Sequence, residues 1–458
     1  MYYEFMPGSI PVSDHCDVLV VGGGTAGASA GISAARMHAD TLVIEQYGSL
    51  GGSQTHALVT PVMHTGIAGN PLSSAISEEI ITRLRLMGGA NDNDKGYFDT
   101  TALAVTLEDL LLESGCRLLY HTTVIGVMRI GRRVTHAVIL NTDGVSAIEA
   151  KTFIDATADA ALSLMAGANV IAGDVNGRNQ AVSLRFIMEN VDQDAFCDYL
   201  RSIGQNNTRN YPSMHAASVE GSGRFKLEPV FHKAYEDGLL TEQDIRYFQV
   251  FSLPGRPRAV AFNCPELGAR VNVLEPHYMT KCMTEGRKAI RRLVRFLRER
   301  VPGFAEAYVC EIADMLGVRE SRRVVSERDL TVRDIAAYQK FEDGITTSNY
   351  PVDVHGGGDE GLEYADVPTR ERYYEVPFRA LIAKDLDNLF VAGRCIGADF
   401  IAQSSVRVQA SCRSTGEAAG IGAAIAASEN LRACEVNGVR VRNIMLGRGA
   451  EFVCKEEV

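Results

Sequence analysis

The stretch DVLVVGGGTAGASAGISAARMHADTLVIEQYG, Asp17 to Gly48, constrains the fold more than any other part of the chain. Asp17 to Gly22 is a β-branched apolar run bounded by glycines, as expected of a strand buried on both faces. Gly22-x-Gly24-x-x-Gly27 follows, with Gly31 four residues on. The spacing has a mechanical cause. One glycine makes the tight turn, one lets the backbone approach a pyrophosphate, and one lets the next helix pack on the strand. The alanine-rich segment TAGASAGISAARMHA predicts that helix, with its first N–H groups aimed at phosphates. A second strand, ADTLVIE, ends in Glu45, 21 residues after Gly24. A carboxylate there takes both hydroxyls of an adenosine ribose and repels a 2′-phosphate, which disfavours NADP. Strand, turn, helix and acid together predict a dinucleotide site.

The same glycine pattern recurs at Gly356-Gly357-Gly358-Asp359-Glu360-Gly361. There it follows NYPVDVH, places two acids where a pyrophosphate would sit, and precedes no alanine-rich helix. It reads as a flexible loop. One fingerprint remains, so no second site for a nicotinamide dinucleotide is visible.

Bulk properties exclude other classes. With 458 residues the chain can build two domains, and a formal net charge of −11 argues against nucleic acid or an anionic membrane as partner. The ten cysteines are scattered with no CxxC, which removes a dithiol relay, a zinc ribbon and a clustered iron–sulfur site, and no metal is expected. The uncharged run Val18 to Ala35 carries three consecutive glycines and reads as strand, turn and helix, not as a membrane span. MYYEFMPGSIPVSDH lacks the pattern of a signal peptide. A soluble, cytoplasmic protein is the expectation.

Three further segments carry a resemblance. QYGSLGGSQTH, directly after Glu45, resembles the glycine pair that lies against the pyrophosphate and ribityl chain in glutathione-reductase-type FAD proteins. KTFIDATADAALSLMAGA, Lys151 to Ala168, resembles the short strand that returns the chain to the FAD domain, with Ala158 where glycine is usual. DNLFVAGRCIGADFIAQSSVRVQASCRSTGEAAGIGAA, Asp387 to Ala424, resembles the C-terminal flavin segment of FAD-dependent oxidoreductases related to the succinate dehydrogenase and fumarate reductase flavoprotein group. LGVRESRRVVSERDLT, YPVDVHG and YYEVPFRALI occur in that family in the same order.

The resemblance implies FAD, bound non-covalently. His56 follows the glycine pair, whereas the linked histidine of the succinate dehydrogenase group precedes it. The implied cofactor residues are Gly22, Gly24, Thr25, Ala26 and Gly27, then Glu45 and Gln46, then Gly51, Gly52 and Ser53. Val124, Ala156, Thr157, Gly393, Arg394, Ser404, Ser405 and Val406 complete the set. A helix starting at Ser404-Ser405-Val406 is expected to aim its positive end at the flavin pyrimidine. Many FAD proteins have Gly-Asp where this chain has Gly393-Arg394, and the arginine can face the pyrophosphate instead.

Because the fingerprint lies near one end and the flavin segment near the other, the expected fold is α/β with a discontinuous Rossmann-like FAD-binding domain. Residues 1–165 and 370–458 would form it, and 166–369 an inserted α+β substrate domain. Asn70 to Gly115 reads as two amphipathic helices around a polar loop, and Arg117 to Thr157 as a β-meander. GQNNTRNYPSMH reads as loop. EGRKAIRRLVRFLRERVPGF reads as a basic helix with an apolar stripe at Ile290, Leu293, Phe296 and Leu297.

The catalytic candidates come from the middle block. His355, on a glycine-rich loop beside Asp353 and Tyr350, is the first choice for a proton acceptor; its other reading is an exposed loop histidine. Arg319, Arg322 and Arg323 can fork onto a carboxylate, or pair with Glu320 and Glu327 as a structural network. His56 and His64 lie close behind the glycine pair, near the flavin or as satisfied core histidines. The expected function is hydride transfer between a small organic substrate and FAD. Reduction of activated C=C bonds and electron relay to a partner chain are the alternatives. Substrate, re-oxidant and electron acceptor stay open, and a homo-oligomer is possible.

Overall fold

The computed structural model describes residues 9–62, 73–90, 96–205, 215–219, 226–356 and 373–452. His64, Gly357 to Gly361, the loop around Asn206 to Met214 and the expected boundary at 369 lie outside them.

The chain opens with β1 (Val12–Val21), α1 (Thr25–Ala35) and β2 (Thr41–Ile44), a right-sized crossover unit in which β1 and β2 pair in parallel from Val18↔Thr41 to Val21↔Ile44. Val18, Leu19 and Val20 are fully buried, as their β-branched run requires. Two helices follow, α2 (Ala75–Leu86) and α3 (Thr100–Glu113), the second capped by the Asp99 carboxylate accepting from Ala102 N–H. Then come β3 (Arg117–Leu119), β4 (Thr123–Ile130), β5 (Arg133–Asn141) and β6 (Gly144–Asp155), the last three an antiparallel meander. The resulting seven-stranded sheet has the order β3-β2-β1-β6-β5-β4, and a strand from near the C-terminus, Leu389–Val391, pairs with β6 in parallel. A parallel Rossmann-like sheet closed by a distant segment is therefore present, and the fingerprint sits on its first strand. One departure is that β1 begins at Val12 and not at Asp17. Its polar first half is mostly exposed yet pairs with β6, a ladder that no local hydrophobic pattern announces.

After α4 (Ala161–Met165) and β7 (Val170–Ala172) the chain enters a second body. It contains β8 (Val182–Ser183), β9 (Phe186–Glu189), α5 (Gln193–Ser202), β10 (His215–Val219), α6 (Glu228–Glu236), α7 (Glu242–Ile245), β11 (Tyr247–Leu253), β12 (Arg256–Phe262), β13 (Glu266–Leu267), α8 (Pro276–Arg300) and β14 (Tyr308–Ile312). Five strands form an antiparallel sheet in the order β10-β11-β12-β9-β14. The stripe Ile290, Leu293, Phe296 and Leu297 of α8 is buried in its core, as its spacing predicts. Each such side chain contributes about 1.5–3 kcal/mol by leaving water. Phe296 packs on Phe231 at 4.6 Å between ring centroids, and Phe186 stacks on Phe262 at 4.4 Å.

The chain leaves this body through β15 (Arg322–Val324), which pairs antiparallel with β7, so the outgoing and returning strands are tied to each other. Then α9 (Val332–Ala336) leads to β16 (Gly344–Ser348), which pairs with β17 (Tyr374–Pro377). Val324, Leu330, Ile335 and Ile345 already belong to the first core. The return to that core thus precedes position 370, because the β7–β15 pairing closes the insertion.

The C-terminal part runs through β18 (Leu389–Val391), α10 (Phe400–Val406), α11 (Gln409–Glu429) and α12 (Gly438–Gly447). α11 lies against α1 at backbone distance. A Cβ on Gly416 would fall 2.1 Å from the Ala26 carbonyl oxygen, and one on Gly420 2.3 Å from that of Ala30. Both helices are lined with alanine, serine and glycine for this reason. Replacing Gly420 by leucine should therefore cost about 1–3 kcal/mol or more of stability through overpacking. Gly447→Ala, with open space around it, should change stability by less than about 0.5 kcal/mol. Thermal unfolding of the two variants is the comparison.

Candidate functional site

A continuous cavity of about 780 Å³ runs from the glycine turn after β1 into the second body. Its first half is built by three turns. Gly22, Gly24, Thr25 and Ala26 line it, together with Glu45 and Gln46 at the end of β2 and Gly52 and Ser53 beyond. Gly27 does not line it. It permits the packing, since a Cβ there would fall 1.7 Å from the Gly22 carbonyl oxygen. Gly51 likewise acts through the backbone, at φ 107° and bridged to Gly24. Gly24 itself caps α1 without a side chain, and a Cβ on it would meet nothing closer than Gly52 Cα at 3.8 Å. Uncapped first-turn N–H groups facing open space fit a pyrophosphate.

Glu45 is buried, and its carboxylate accepts from Gly23 N–H at 2.7 Å and Tyr47 N–H at 2.9 Å. Burial raises its pKa above the ordinary value against these two hydrogen bonds. A carboxylate has about four acceptor sites, so capacity for the ribose hydroxyls remains.

Val124, Ala156 and Thr157 also line this half. The loop after β6 is organised by the buried Asp155. One of its oxygens accepts from Thr157 N–H and Oγ1, the other from Ser163 N–H and Oγ. Ala158 sits at φ 65°, the left-handed region that explains why a glycine is usual at this point of the resembling family.

Gly393 and Arg394 line the cavity as well. The Arg394 guanidinium does not stand free for a phosphate. It donates to Asp159 at 2.6 Å and to Ser321 Oγ at 2.9 Å, and Ser321 itself donates to Asp159 at 2.6 Å.

The expectation for Ser404, Ser405 and Val406 is corrected. These residues end α10, whose start is capped by Asp399 accepting from Ala402 N–H, and they do not line the cavity. The helix that starts at the cavity is α11, after an extended Val408 with no side-chain cap, and Val408, Gln409 and Cys412 are in the wall. Ser404 and Ser405 have a different place. Ser404 Oγ accepts from Asp353 N–H at 3.2 Å, and Ser405 Oγ donates to the Tyr350 carbonyl at 2.5 Å. They hold the 350–355 loop.

That loop forms the second half of the cavity with strands of the second body. His355 Nδ1 lies 2.7 Å from Glu266 Oε2, and Nε2 lies 3.2 Å from Asp353 Oδ1. Tyr350 donates to Asp353 at 3.0 Å, and Arg407 donates to the same carboxylate at 3.0 Å. Arg319 donates to the Ala181 carbonyl at 2.7 Å and faces Glu266 at 3.4 Å. Burial works to raise Asp353, but His355, Arg407 and Arg319 outweigh it and hold the carboxyl well below the usual range. Glu266 is lowered in the same way, burial being overcome by His355 and Arg319. Burial pushes the Tyr247 hydroxyl up to about 12.

Arg322 is not brought to this cluster. It lies on β15, and its guanidinium donates to the Asp159 carbonyl at 3.2 Å. Arg323 pairs with the buried Glu320, the structural network that the run of arginines allows. His56 also stays outside the wall, stacked on Tyr47 at 4.1 Å and 3.3 Å from Asp314.

The residue that the sequence reading passed over is Arg185, just before β9. It is 8% exposed and lines the second half of the cavity. Its Nε and Nη1 have no hydrogen-bond partner among the described residues. Burial pushes it down to about 9, with Arg319 adding repulsion. The signal was one charge inside the apolar run AVSLRFIM, since arginines are seldom buried without a partner.

Glu45→Gln keeps the shape of the side chain and removes the charge. It should leave the fold intact and weaken FAD binding by roughly 1.5–3 kcal/mol, the net worth of a charged hydrogen bond. FAD titration of the apoprotein measures it, and unchanged affinity would mean that this carboxylate serves the backbone alone.

The model of the family described as FAD dependent oxidoreductase matches residues 17–445. No curated protein matches the chain in sequence. Among solved structures, a geranylgeranyl bacteriochlorophyll reductase-like protein from Thermoplasma acidophilum is 14% identical over 95% of this chain and 83% of its own, with a TM-score of 0.45. The p-nitrophenol 4-monooxygenase PnpA from Pseudomonas putida is 11% identical over 95% of this chain and 87% of its own, with a TM-score of 0.47. A flavoprotein/dehydrogenase from Cytophaga hutchinsonii is 12% identical over 94% and 83%, with a TM-score of 0.43. With the family model spanning both halves of the cavity, the chain belongs to the FAD dependent oxidoreductase family.

Proposed function

We propose that this enzyme moves a hydride between a small organic substrate and non-covalently bound FAD. The supporting observation is the continuity of the cavity, from the uncapped start of α1 to the cluster around His355. An electron relay needs an exposed contact surface and no such chamber. Glu45, Gly52, Ser53, Thr157 and the start of α11 would hold the cofactor, which supplies the hydride acceptor or donor when bound.

The protein's own part is proton handling and orientation. The short contact to Glu266 fixes the His355 ring through Nδ1. Nε2 keeps the longer contact, 3.2 Å to Asp353, and is the nitrogen that meets substrate once that contact is displaced. Both carboxylates stabilise the ring when it takes a proton. In the oxidative direction, the substrate carbon loses hydride and its hydroxyl or amine proton passes to His355 Nε2. Tyr350 and Arg407 act on Asp353 and keep the loop in place.

The test is anaerobic reduction of the bound flavin across hydroxy acids, amines, sugars and enoates. His355→Ala should retain FAD and slow reduction by the productive substrate about 10²–10⁴-fold. Reduction within a few-fold of wild type would remove His355 from the chemistry.

A further inference from the structure

Of the cations lining the chamber, most face a carboxylate. Arg319 faces Glu266, Arg407 faces Asp353, Arg394 faces Asp159 and Arg246 faces Glu242. Arg185 faces none among the described residues, although it is as buried as Arg319, and Nε and Nη1 are both unpartnered. A buried guanidinium left in this state is costly, whereas one that receives an anion is not. The placement is fixed by the sheet. β9 pairs with β12 at Phe186↔Phe262, which sets Arg185 opposite Asn263, and both line the cavity. The Asn263 side-chain oxygen also lacks a partner among the described residues, while its amide donates to Tyr247 and Gln249.

We infer that Arg185 is the anchor for a carboxylate on the substrate, which is therefore a small organic acid. This deepens, and rests on, the reading of the chamber as a substrate site. The charge balance selects an anion. Arg185, Arg319 and Arg407 stand against Glu266 and Asp353, which leaves positive charge unmatched in the wall. The shape selects a planar group. A guanidinium presents its N–H groups in one plane, in forks that match the two oxygens of a carboxylate.

The experiment uses the FAD-loaded protein, with benzoate and acetate as probes and benzamide and inorganic phosphate as controls. Binding is read from perturbation of the visible flavin spectrum and from the unfolding temperature, neither of which requires turnover. Benzoate or acetate should shift both in a saturable way, and benzamide should not. Arg185→Gln should weaken that binding at least about tenfold with FAD content unchanged. Arg185→Lys, which keeps the charge and loses the fork, should fall between and serves if the glutamine variant does not fold. Carboxylate binding of equal strength in wild type and variants would overturn the inference. So would the absence of carboxylate binding in wild type, or tighter Arg185-dependent binding of phosphate. Failure of the hydride-transfer reading looks different. In that case carboxylates bind through Arg185 while no organic acid reduces the flavin, nor any reduced form of the flavin an organic acid. If instead a neutral substrate reduces the flavin and carboxylates do not bind, hydride transfer stands and the anchor falls.

Discussion

Backbone-to-backbone contact between α1 and its neighbours is the constraint on which the rest of the structure depends. On one side Gly27 lets α1 reach the Gly22 turn, and on the other Gly416 and Gly420 let α11 lie on the Ala26 and Ala30 carbonyls. Without these approaches the start of α1 would stand away from the sheet. The segment that brings Gly393 and α11 to the cavity would also lose its seat. The first strand and the last long helix are nearly four hundred residues apart, counting from Val12 to Gln409. Side-chain-free packing is what fixes their distance.

Two of the ties between the second body and this frame explain why the chamber holds its form. β7 and β15 pair as the insertion leaves and returns. The 350–355 loop is held from below by Ser404 and Ser405, while Arg407 at the end of the same helix reaches Asp353. α10 therefore carries the polar cluster, and its last residues, Ser404 to Val406, stay out of the cavity wall. Its position next to α11 couples the cluster to the helix whose uncapped start lies in the wall.

The parts legible in the sequence are those written locally. The β1–α1–β2 unit, Glu45, the β4–β6 meander and the α8 stripe each rest on residues close together in the chain. The junction of α10 and α11 was not legible. Asp399 gives a capping signal, but the break at Arg407 and Val408 carries neither glycine nor proline, so the local pattern predicts one helix starting near Ser404. The end of the insertion was hidden for another reason: it is set by pairing between residues 170–172 and 322–324, a contact that no local pattern announces. The three arginines of GVRESRR separate in space for the same reason. Arg319 turns to the chamber, Arg322 to the Asp159 loop and Arg323 to Glu320.

Arg185 shows how fold and site oppose one another. The other arginines of the chamber each face a carboxylate, and the pairs to Glu266 and Asp353 also orient His355. Arg185 does neither in the ligand-free state, because burial disfavours its charged form and Arg319 repels it. Its depressed pKa means that folding is penalised while the group is charged, below about 9, and that the penalty fades as pH rises toward the unfolded value. An apolar residue of similar volume would suit the β9–β12 sheet better. A cation kept at this position lowers the stability of the empty protein, and a bound anion restores it. The interaction energy then appears as ligand affinity, placed at a point of the wall where no carboxylate of the described residues competes for it.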